Sequence, residues 1–275
     1  MTASVGPAQT RTVRYELHDN QAADLAGQLL TLHPPTTRHR FVCYRLDGRS
    51  PFADLGRRIE LEVFDEAFGN DLAVMQREYG PYEDASFFLV VMDQVLRRPA
   101  GVMRVIRNSA TGLKTLRDIA GEPLGIGLER FRDFHAVDSL DATWDVGTVA
   151  VLPEYRRSAT RSRTVCLLLY RAVYVHAMRD GVRHFVTVVD EHAHRGLRAL
   201  GVAYVPICDT GPFSYLDSAS STAVYGFVPE FQARMEARYR RLRRQRPLRW
   251  CLLARPIRQL MRGIGLDVRL QPPVD

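Results

Sequence analysis

The sequence has few cysteines, no long apolar run and no feature of an exported protein. Only four of its 275 residues are cysteines, and they form neither a Cys-x-x-Cys pair nor a spacing typical of a metal site. No run reaches the roughly 18 apolar residues that a transmembrane helix needs, and residues 1–20 lack the apolar core of a secretory signal. These absences predict a cytoplasmic protein with reduced thiols, without a metal ion and without a tightly bound cofactor.

Lysine is almost absent, and the positive charge is concentrated near the C-terminus. Lys114 is the only lysine among 38 basic residues, and the chain carries a net charge of +7. Residues 234–269 hold twelve arginines against Glu236 and Asp267, which gives this segment alone a net charge of +10. The remainder of the chain is therefore mildly acidic. A basic segment interleaved with apolar residues is typical of chains that contact anionic surfaces.

Apolar runs with strand-like composition or helix-like spacing divide the chain into a series of elements. The run SFFLVVMD at 86–93 predicts a strand because it is rich in β-branched and aromatic residues. The segment RRIELEVFDEAF at 57–68 predicts a helix because its apolar residues recur every three or four positions. Strands are predicted at 40–46, 86–93, 100–107, 144–152, 184–189, 202–208 and 223–228, and helices at 22–32, 57–68, 114–119, 163–179 and 192–200.

The order of these elements predicts the fold class and the domain organisation. Early strands followed by alternating strands and helices indicate an α/β (α+β) fold with a mixed, mostly antiparallel sheet and helices on both faces. Residues 40–230 form the predicted folded domain, and residues 1–39 an N-terminal extension. Residues 231–275 are predicted to be a basic amphipathic C-terminal tail, which Pro247 and Pro256 divide into short helical pieces.

The most informative part of the chain is the segment 144–201, which predicts a strand, a turn, a helix, a second strand and a short helix. The turn has the sequence VLPEYR at 151–156, and Gly201 ends the short helix. This order resembles the central motif of the GNAT acyltransferase superfamily, in which a V-x-P-x-Y-R turn precedes the helix that binds the pyrophosphate of coenzyme A. The family's later pattern, Asn-x-x-Ala-x-x-x-Tyr-x-x-x-Gly-Phe, is similar in spacing to Asp190, Ala193, Leu197, Gly201 and Val202. The resemblance implies a GNAT-like fold.

Two departures distinguish the chain from the common acetyltransferases of that superfamily. The family's phosphate-binding loop contains glycines, whereas RRSATRS at 156–162 contains none. Glycine lets backbone N–H groups approach a phosphate closely, so arginine side chains would have to replace part of that contact here. Leu197 stands where the family often has the tyrosine that protonates the leaving thiolate. Both departures argue against a standard acetyl-coenzyme A acetyltransferase.

The acyl-homoserine-lactone (autoinducer) synthases and the related N-acyl amino acid synthases share these departures, and the chain resembles them over about residues 57–205. The similar segments are WDVGTVAV at 144–151, GVMRV at 101–105, and VFDEAFG at 63–69 with the acidic pair at 83–84. Gly147 and Thr148 replace a serine and an arginine of the first pattern. The resemblance implies transfer of a medium or long acyl group to an amine, such as an amino acid. The co-substrate would be an acyl carrier protein, through its acyl-phosphopantetheine, or an acyl-coenzyme A.

Asp145 is the candidate catalytic residue. An amine attacks a thioester carbonyl only as the free base, so a carboxylate that removes a proton, directly or through water, assists the reaction. Asp145 lies among apolar strand residues, and such apolar surroundings would raise its pKa towards a useful range. Alternatively, Asp145 is a solvent-facing strand residue or a structural hydrogen-bond acceptor.

The acyl donor would contact the end of this strand and the turn that follows it. Backbone N–H groups of the strand would stabilise the oxyanion and hold the pantetheine arm, and the arginines after the turn would bind phosphates. The alternative is that these arginines form a solvated helix start. The predicted donor-binding residues are Val149, Val151, Arg156, Arg157, Ser158 and Arg161.

Four further residues are predicted to bind substrate. Arg104 lies inside an apolar strand and would bind a substrate carboxylate through both guanidinium nitrogens. The alternative partners of its guanidinium are Asp145, Glu83 and Asp84. Trp144 and Phe87 would line an acyl tunnel, or else belong to the ordinary core. Thr148, which directly precedes the similar VAV run at 149–151, is the fourth predicted contact.

The basic segment 234–269 and the departures from the family leave alternatives open. In a lipid-handling enzyme the segment would contact an anionic membrane surface or an acidic acyl carrier protein. It would otherwise be a solvated tail, and nucleic-acid binding is the least favoured interpretation. Two rival functions also remain: a tailoring acyltransferase that modifies a peptide or other natural product, and a degenerate, non-catalytic GNAT fold that binds an acyl ligand or nucleic acid.

Overall fold

Eight strands form one sheet in the computed structural model, which describes residues 13–244 and 270–274. The strands are β1 (Phe41–Asp47), β2 (Ser86–Asp93), β3 (Arg98–Arg107), β4 (Thr143–Val151), β5 (His184–Asp190), β6 (Tyr204–Pro206), β7 (Phe213–Tyr215) and β8 (Ser218–Phe227). They follow the order β1-β2-β3-β4-β5-β8-β6, and β7 also pairs with β8. All pairs are antiparallel except β4–β5. The predicted mixed, mostly antiparallel sheet is confirmed.

Helices pack on this sheet and connect its strands. They are α1 (Asp19–Leu32), α2 (Ala53–Phe68), α3 (Leu72–Tyr79), α4 (Lys114–Ala120), α5 (Leu128–His135), α6 (Pro153–Arg156), α7 (Ala159–Arg179), α8 (Glu191–Leu200) and α9 (Val228–Arg244). Short 3₁₀ helices occur at Gly80–Ala85, Leu140–Ala142 and Ile207–Asp209. The sequence analysis did not predict α3, α5 or β7.

The helices α2 and α7 cover opposite faces of the sheet, and two glycines allow their close approach. A Cβ atom on Gly56 of α2 would come within 2.8 Å of Cδ1 of Phe88 and 3.1 Å of Cγ2 of Val102. A Cβ on Gly101 would come within 2.7 Å of Cγ1 of Val165, which lies on α7. Neighbouring strand residues point to opposite faces, so Gly101 and Val102 place α7 and α2 on the two sides of β3.

The strands β4 and β5 separate soon after they begin. They pair at only three positions, the last of which joins Asp145 to Val186. Beyond this pair β4 stays bonded to β3, with a bulge at Gly147, while β5 stays bonded to β8. The backbone edge of β4 that faces β5 is therefore not covered by a strand from Val146 onward. A wedge-shaped gap opens in the middle of the sheet.

The segments that flank the predicted folded domain are packed against it where the structure describes them. Ala26 and Leu29 of α1 are fully buried, and Phe231 and Met235 of α9 are each only 4% exposed. At the C-terminus, residues 270–274 lie parallel to β1, and the N–H of Gln271 donates to the carbonyl of Cys43 at 2.8 Å. Residues 1–12 and 245–269, most of the predicted basic tail, lie outside the described residues. No described helix combines the length and the apolar character needed to cross a membrane.

Candidate functional site

The gap between β4 and β5 contains a cavity of about 170 Å³ that passes through the sheet. Its walls include Thr148 and Val149 of β4 and Val188 of β5. On one side of the sheet it is bounded by Phe64 and Phe68 at the end of α2. On the other side, α7 and α8 contribute Tyr170 and Leu197. Molecules that enter from the two faces would thus meet at the unpaired edge of β4.

The cavity has a single charged side chain among the described residues. Asp190 lines it at the end of β5, where its Oδ1 atom caps α8 by accepting from the N–H of Ala193 at 2.8 Å. No arginine, lysine or histidine of the described ranges lines the cavity. The aromatic rings that line it are Phe64, Phe68, Tyr79, Tyr170, Tyr204 and Tyr215. The cavity therefore favours apolar groups and cations over anions.

Asp145, the predicted base, is buried against α4 and does not line the cavity. Its carboxylate accepts from the N–H of Thr115 at 2.5 Å and from the hydroxyl of Thr115 at 2.8 Å. Burial raises the pKa of Asp145 to about 7, although both bonds from Thr115 oppose that rise. The side chain thus occupies the structural-acceptor position that the sequence left as an alternative.

Arg104 is fully buried in a network of charged groups behind the cavity wall. Its guanidinium donates to Glu60 at 2.6 Å and 3.0 Å, to Glu83 at 2.9 Å and to the hydroxyl of Tyr15 at 2.7 Å. Burial alone would raise the pKa of the Glu83 carboxyl, but Arg104 and Arg57 beside it lower that pKa to about 2. Glu83 is one of the alternative partners predicted from the sequence.

Thr148 connects this network to the cavity. Thr148 lines the cavity, its hydroxyl donates to the buried carboxylate of Glu60, and its Oγ1 atom accepts from the N–H of Arg104 at 3.3 Å. The neighbouring carbonyl of Gly147 accepts from the hydroxyl of Tyr79 at 3.2 Å. These bonds fix the bulged part of β4 from the α2 side.

The predicted acyl-tunnel residues lie in the core instead of the cavity wall. The rings of Trp144 and Phe87 meet edge to face with centroids 4.9 Å apart, and both side chains are nearly inaccessible to solvent. Trp144 also stacks on Phe185 with a centroid distance of 6.3 Å. This cluster supports the sheet beneath the point where β4 and β5 separate.

The predicted donor-binding residues lie along β4 and the α6–α7 turn. Val149 lines the cavity, whereas Val151 is buried in the core. Ser158 begins α7 and accepts from the N–H of Arg161 at 3.4 Å. The arginine side chains at 156, 157 and 161 are exposed, and Arg156 forms an ion pair with Glu66. The carbonyl of Val146 faces the gap, where it accepts from the hydroxyl of Thr187 at 2.7 Å.

The structure adds Asn70 and Asp190 to the candidate site. Asn70 follows the left-handed Gly69 that ends α2, lines the cavity and is only 1% exposed. Its Oδ1 atom is buried without a hydrogen-bond partner among the described residues. The Gly-Asn pair after the predicted helix could have indicated Asn70, and Asp190 was named in the sequence analysis only as the position that matches the family's asparagine. Neither signal says that both residues line one cavity.

Comparisons with known proteins bear on the fold. The sequence matches no protein-family model and no curated protein. The structure is similar to that of FeeM, an N-acyl amino acid synthase from uncultured soil microbes, with 17% identity and a TM-score of 0.51 over 72% of this chain and 97% of FeeM. It is also similar to the CoA-dependent acyl-homoserine lactone synthase BjaI, with 14% identity and a TM-score of 0.47 over 83% of this chain and 97% of BjaI.

The AHL synthase LasI gives a similar result, with 13% identity and a TM-score of 0.47 over 72% of this chain and 94% of LasI. These identities are too low to establish more than architecture. Together with the strand order and the gap at β4–β5, the similarity to FeeM confirms the predicted resemblance at the level of the fold. The chain therefore has a GNAT-like fold, similar to that of the N-acyl amino acid synthase FeeM.

Proposed function

We propose that the protein is an N-acyltransferase that moves a medium or long acyl group from a carrier-protein or coenzyme A thioester to an amine. The observation that carries this proposal is the cavity through the sheet at the β4–β5 gap. It lets a thioester and an amine approach the same backbone edge from opposite faces. The similarity of fold to an N-acyl amino acid synthase supports the same class of reaction.

The donor would enter on the α7–α8 side. A second apolar cavity of about 40 Å³ adjoins the first there, and the two share Tyr170 and Leu197 in their walls. This second cavity lies under α9 and is lined by Phe231 and Met235. An acyl chain that extends from the β4–β5 gap into this second cavity would bury its apolar surface there. The exposed arginines at 156, 157 and 161 would contact the donor's phosphates.

The reaction forms a C–N bond and breaks a C–S bond. The free amine attacks the thioester carbonyl, and backbone N–H groups on the unpaired edge of β4 would stabilise the oxyanion that forms. The intermediate collapses with departure of the thiolate, and the proton lost by nitrogen ultimately neutralises that thiolate. Leu197 has no hydroxyl that could protonate the thiolate. The thiolate would therefore take its proton from water or from the base that accepted the amine's proton.

We assign the proton-accepting role to Asp190, which lines the cavity, in preference to Asp145, which does not. Asp190→Asn should lower kcat by about 10²-fold or more, because a positioned base contributes on that order. Asp145→Asn should leave kcat within a few-fold of the wild type. Asp133→Asn, a change of an exposed carboxylate on α5, is the matched control. A large loss in Asp145→Asn with none in Asp190→Asn would return the role to Asp145.

The test of the function itself uses decanoyl-coenzyme A, decanoyl carrier protein and acetyl-coenzyme A. A donor that binds only the folded protein at 100 times its Kd adds about 2.7 kcal/mol of stability, which a thermal shift detects. We expect a shift with at least one decanoyl donor and amine-dependent release of free thiol. Absence of both with every donor would overturn the proposal.

A second candidate is a non-catalytic protein that binds an acyl ligand. The observation in its favour is the glycine-free segment 156–162, where Ser158 and Arg161 begin α7 without the glycine-rich cradle of the family. Stabilisation by a decanoyl donor without thiol release across a broad panel of amines would favour this candidate. A tailoring acyltransferase would instead show release only with a peptide or another large acceptor.

A further inference from the structure

The buried amide oxygen of Asn70 is an unexplained polar group in the cavity wall. Asn70 is 1% exposed, and its Oδ1 atom has no hydrogen-bond partner in the described part of the chain. Buried polar atoms in folded proteins are almost always paired, because an unpaired one loses its bonds to water without compensation. An unpaired acceptor on a residue that lines a cavity is suited to an N–H or O–H donor brought by a ligand.

The position of Asn70 places the ligand that would donate this hydrogen bond on one side of the sheet. The residue directly follows α2, and the N–H of Asn70 donates to the carbonyl of Phe64 at 3.3 Å. Phe64 and Phe68 line the same part of the cavity. This is the side opposite α7 and α8, where the donor's acyl chain is proposed to bind. The ligand that satisfies Asn70 is therefore the acyl acceptor.

The charges around the cavity restrict what that acceptor carries. Asp190 is the only charged side chain of the described residues in its wall, and the rings of Phe64, Phe68 and Tyr79 offer faces that attract cations. A carboxylate in this cavity would have no cationic partner among those residues and would face Asp190. Arg104, the cation predicted from the sequence to bind a substrate carboxylate, already donates to two carboxylates and a hydroxyl. Burying an unpaired carboxylate is strongly unfavourable.

We propose that the acceptor is an alkyl or arylalkyl amine without a carboxylate beside its amino group, and that the amide oxygen of Asn70 accepts a hydrogen bond from the amino nitrogen. This inference rests on the proposed N-acyltransferase function and narrows its acceptor. The amine enters as an ammonium ion, attracted by Asp190 and the aromatic rings, and loses a proton before it attacks. The sequence resemblance instead predicts an amino acid-like acceptor, so matched amine and amino acid pairs decide between the two.

The experiment compares tyramine with tyrosine and phenethylamine with phenylalanine, since the members of each pair differ only in the carboxylate. Binding is measured calorimetrically without a donor, and turnover is measured as thiol release from the decanoyl donor. We expect the amine of each pair to exceed its amino acid at least tenfold in both affinity and kcat/KM. Equal or better performance of the amino acids would overturn the inference while leaving the N-acyltransferase function in place.

Two variants test the role of Asn70. Asn70→Leu replaces the amide with an apolar group of the same branching and removes the unpaired oxygen, so the protein should be as stable as the wild type or more stable while its affinity for tyramine falls at least tenfold. Asn70→Asp should retain binding because it keeps an acceptor oxygen. Asn20→Leu, a change on the exposed part of α1, is the control. Unchanged tyramine binding in Asn70→Leu, or a loss of stability that parallels the loss of binding, would contradict a ligand-binding role.

The outcomes separate this inference from the proposed function. Tyramine binding that depends on Asn70, without thiol release from any donor, would support the amine site and overturn the acyltransferase. Thiol release that occurs only with amino acids would support the acyltransferase and overturn the carboxylate-free amine site. Neither binding nor release would overturn both.

Discussion

The buried carboxyl of Asp145 should make the stability of the protein depend on pH in a way that Asp145→Asn abolishes. Burial raises the pKa of this group from about 3.8 to about 7 in the folded protein. Between these values the folded protein binds one more proton at this site than the unfolded chain does. The free energy of unfolding therefore falls as pH rises through this window, by about 1.4 kcal/mol per pH unit from this group alone.

The full effect, summed over the shift of about three pKa units, is on the order of 4 kcal/mol. The stabilisation by the neutral carboxyl is complete below the unfolded pKa and is lost above the folded pKa. An asparagine at this position does not titrate. The stability of Asp145→Asn relative to wild type should thus increase steadily from about pH 4 to pH 7 and then level off. Altered hydrogen bonds to Thr115 shift this difference by an amount that does not depend on pH.

Urea denaturation of both proteins at several pH values between about 4 and 8.5 measures the difference directly. All other titrating groups are common to the two proteins, so their contributions cancel to first order. Asp133→Asn, with its exposed side chain, controls for the loss of one carboxylate. A difference between Asp145→Asn and wild type that stays constant over this range would mean that Asp145 is ionised at pH 7. The reasoning from burial would then be refuted.

Two further predictions concern the buried network and the donor side of the cavity. Arg104→Met should cost about 3–5 kcal/mol in urea denaturation, because it leaves Glu60 and Glu83 without their shared cation; wild-type stability in this variant would show that the network is dispensable. Leu197→Phe should narrow the passage between the two cavities and shift kcat/KM towards shorter acyl-coenzyme A donors. An unchanged chain-length profile would show that acyl chains do not pass Leu197.

Local sequence patterns were sufficient for most of the sheet. The strand at 86–93 and the helix ends at 68 and 179 agree with the structure because continuous apolar runs and periodic spacing are properties of neighbouring residues. The helix predicted from 57 begins at Ala53, because its N-cap residue is Phe52 and no side-chain cap marks the start of its first turn. The helix α9 was underestimated because its arginine-rich sequence obscured the buried Phe231 and Met235.

The candidate site was harder to predict because it is made by contacts between distant segments. Asp145 contacts Thr115, thirty residues away in the chain, and Arg104 contacts Glu60 at a separation of 44 residues. Nothing in the sequence near any of these residues specifies its partner. Asn70 was not singled out because one unpaired oxygen becomes visible only when every neighbour is in place.

The pairing of residues 270–274 with β1 changes what a C-terminal truncation would do. β1 is the last strand on its side of the sheet, and the backbone of Val274 both donates to Arg45 and accepts from Asp47. A chain shortened after Arg244 would lose six of the twelve arginines of segment 234–269 and, at the same time, expose an unpaired strand edge. Exposed edges recruit other strands, so such a truncated protein should self-associate through β1. Residues 270–274 thus protect the edge of β1 from pairing with other chains, so a truncation that removes them changes more than the charge.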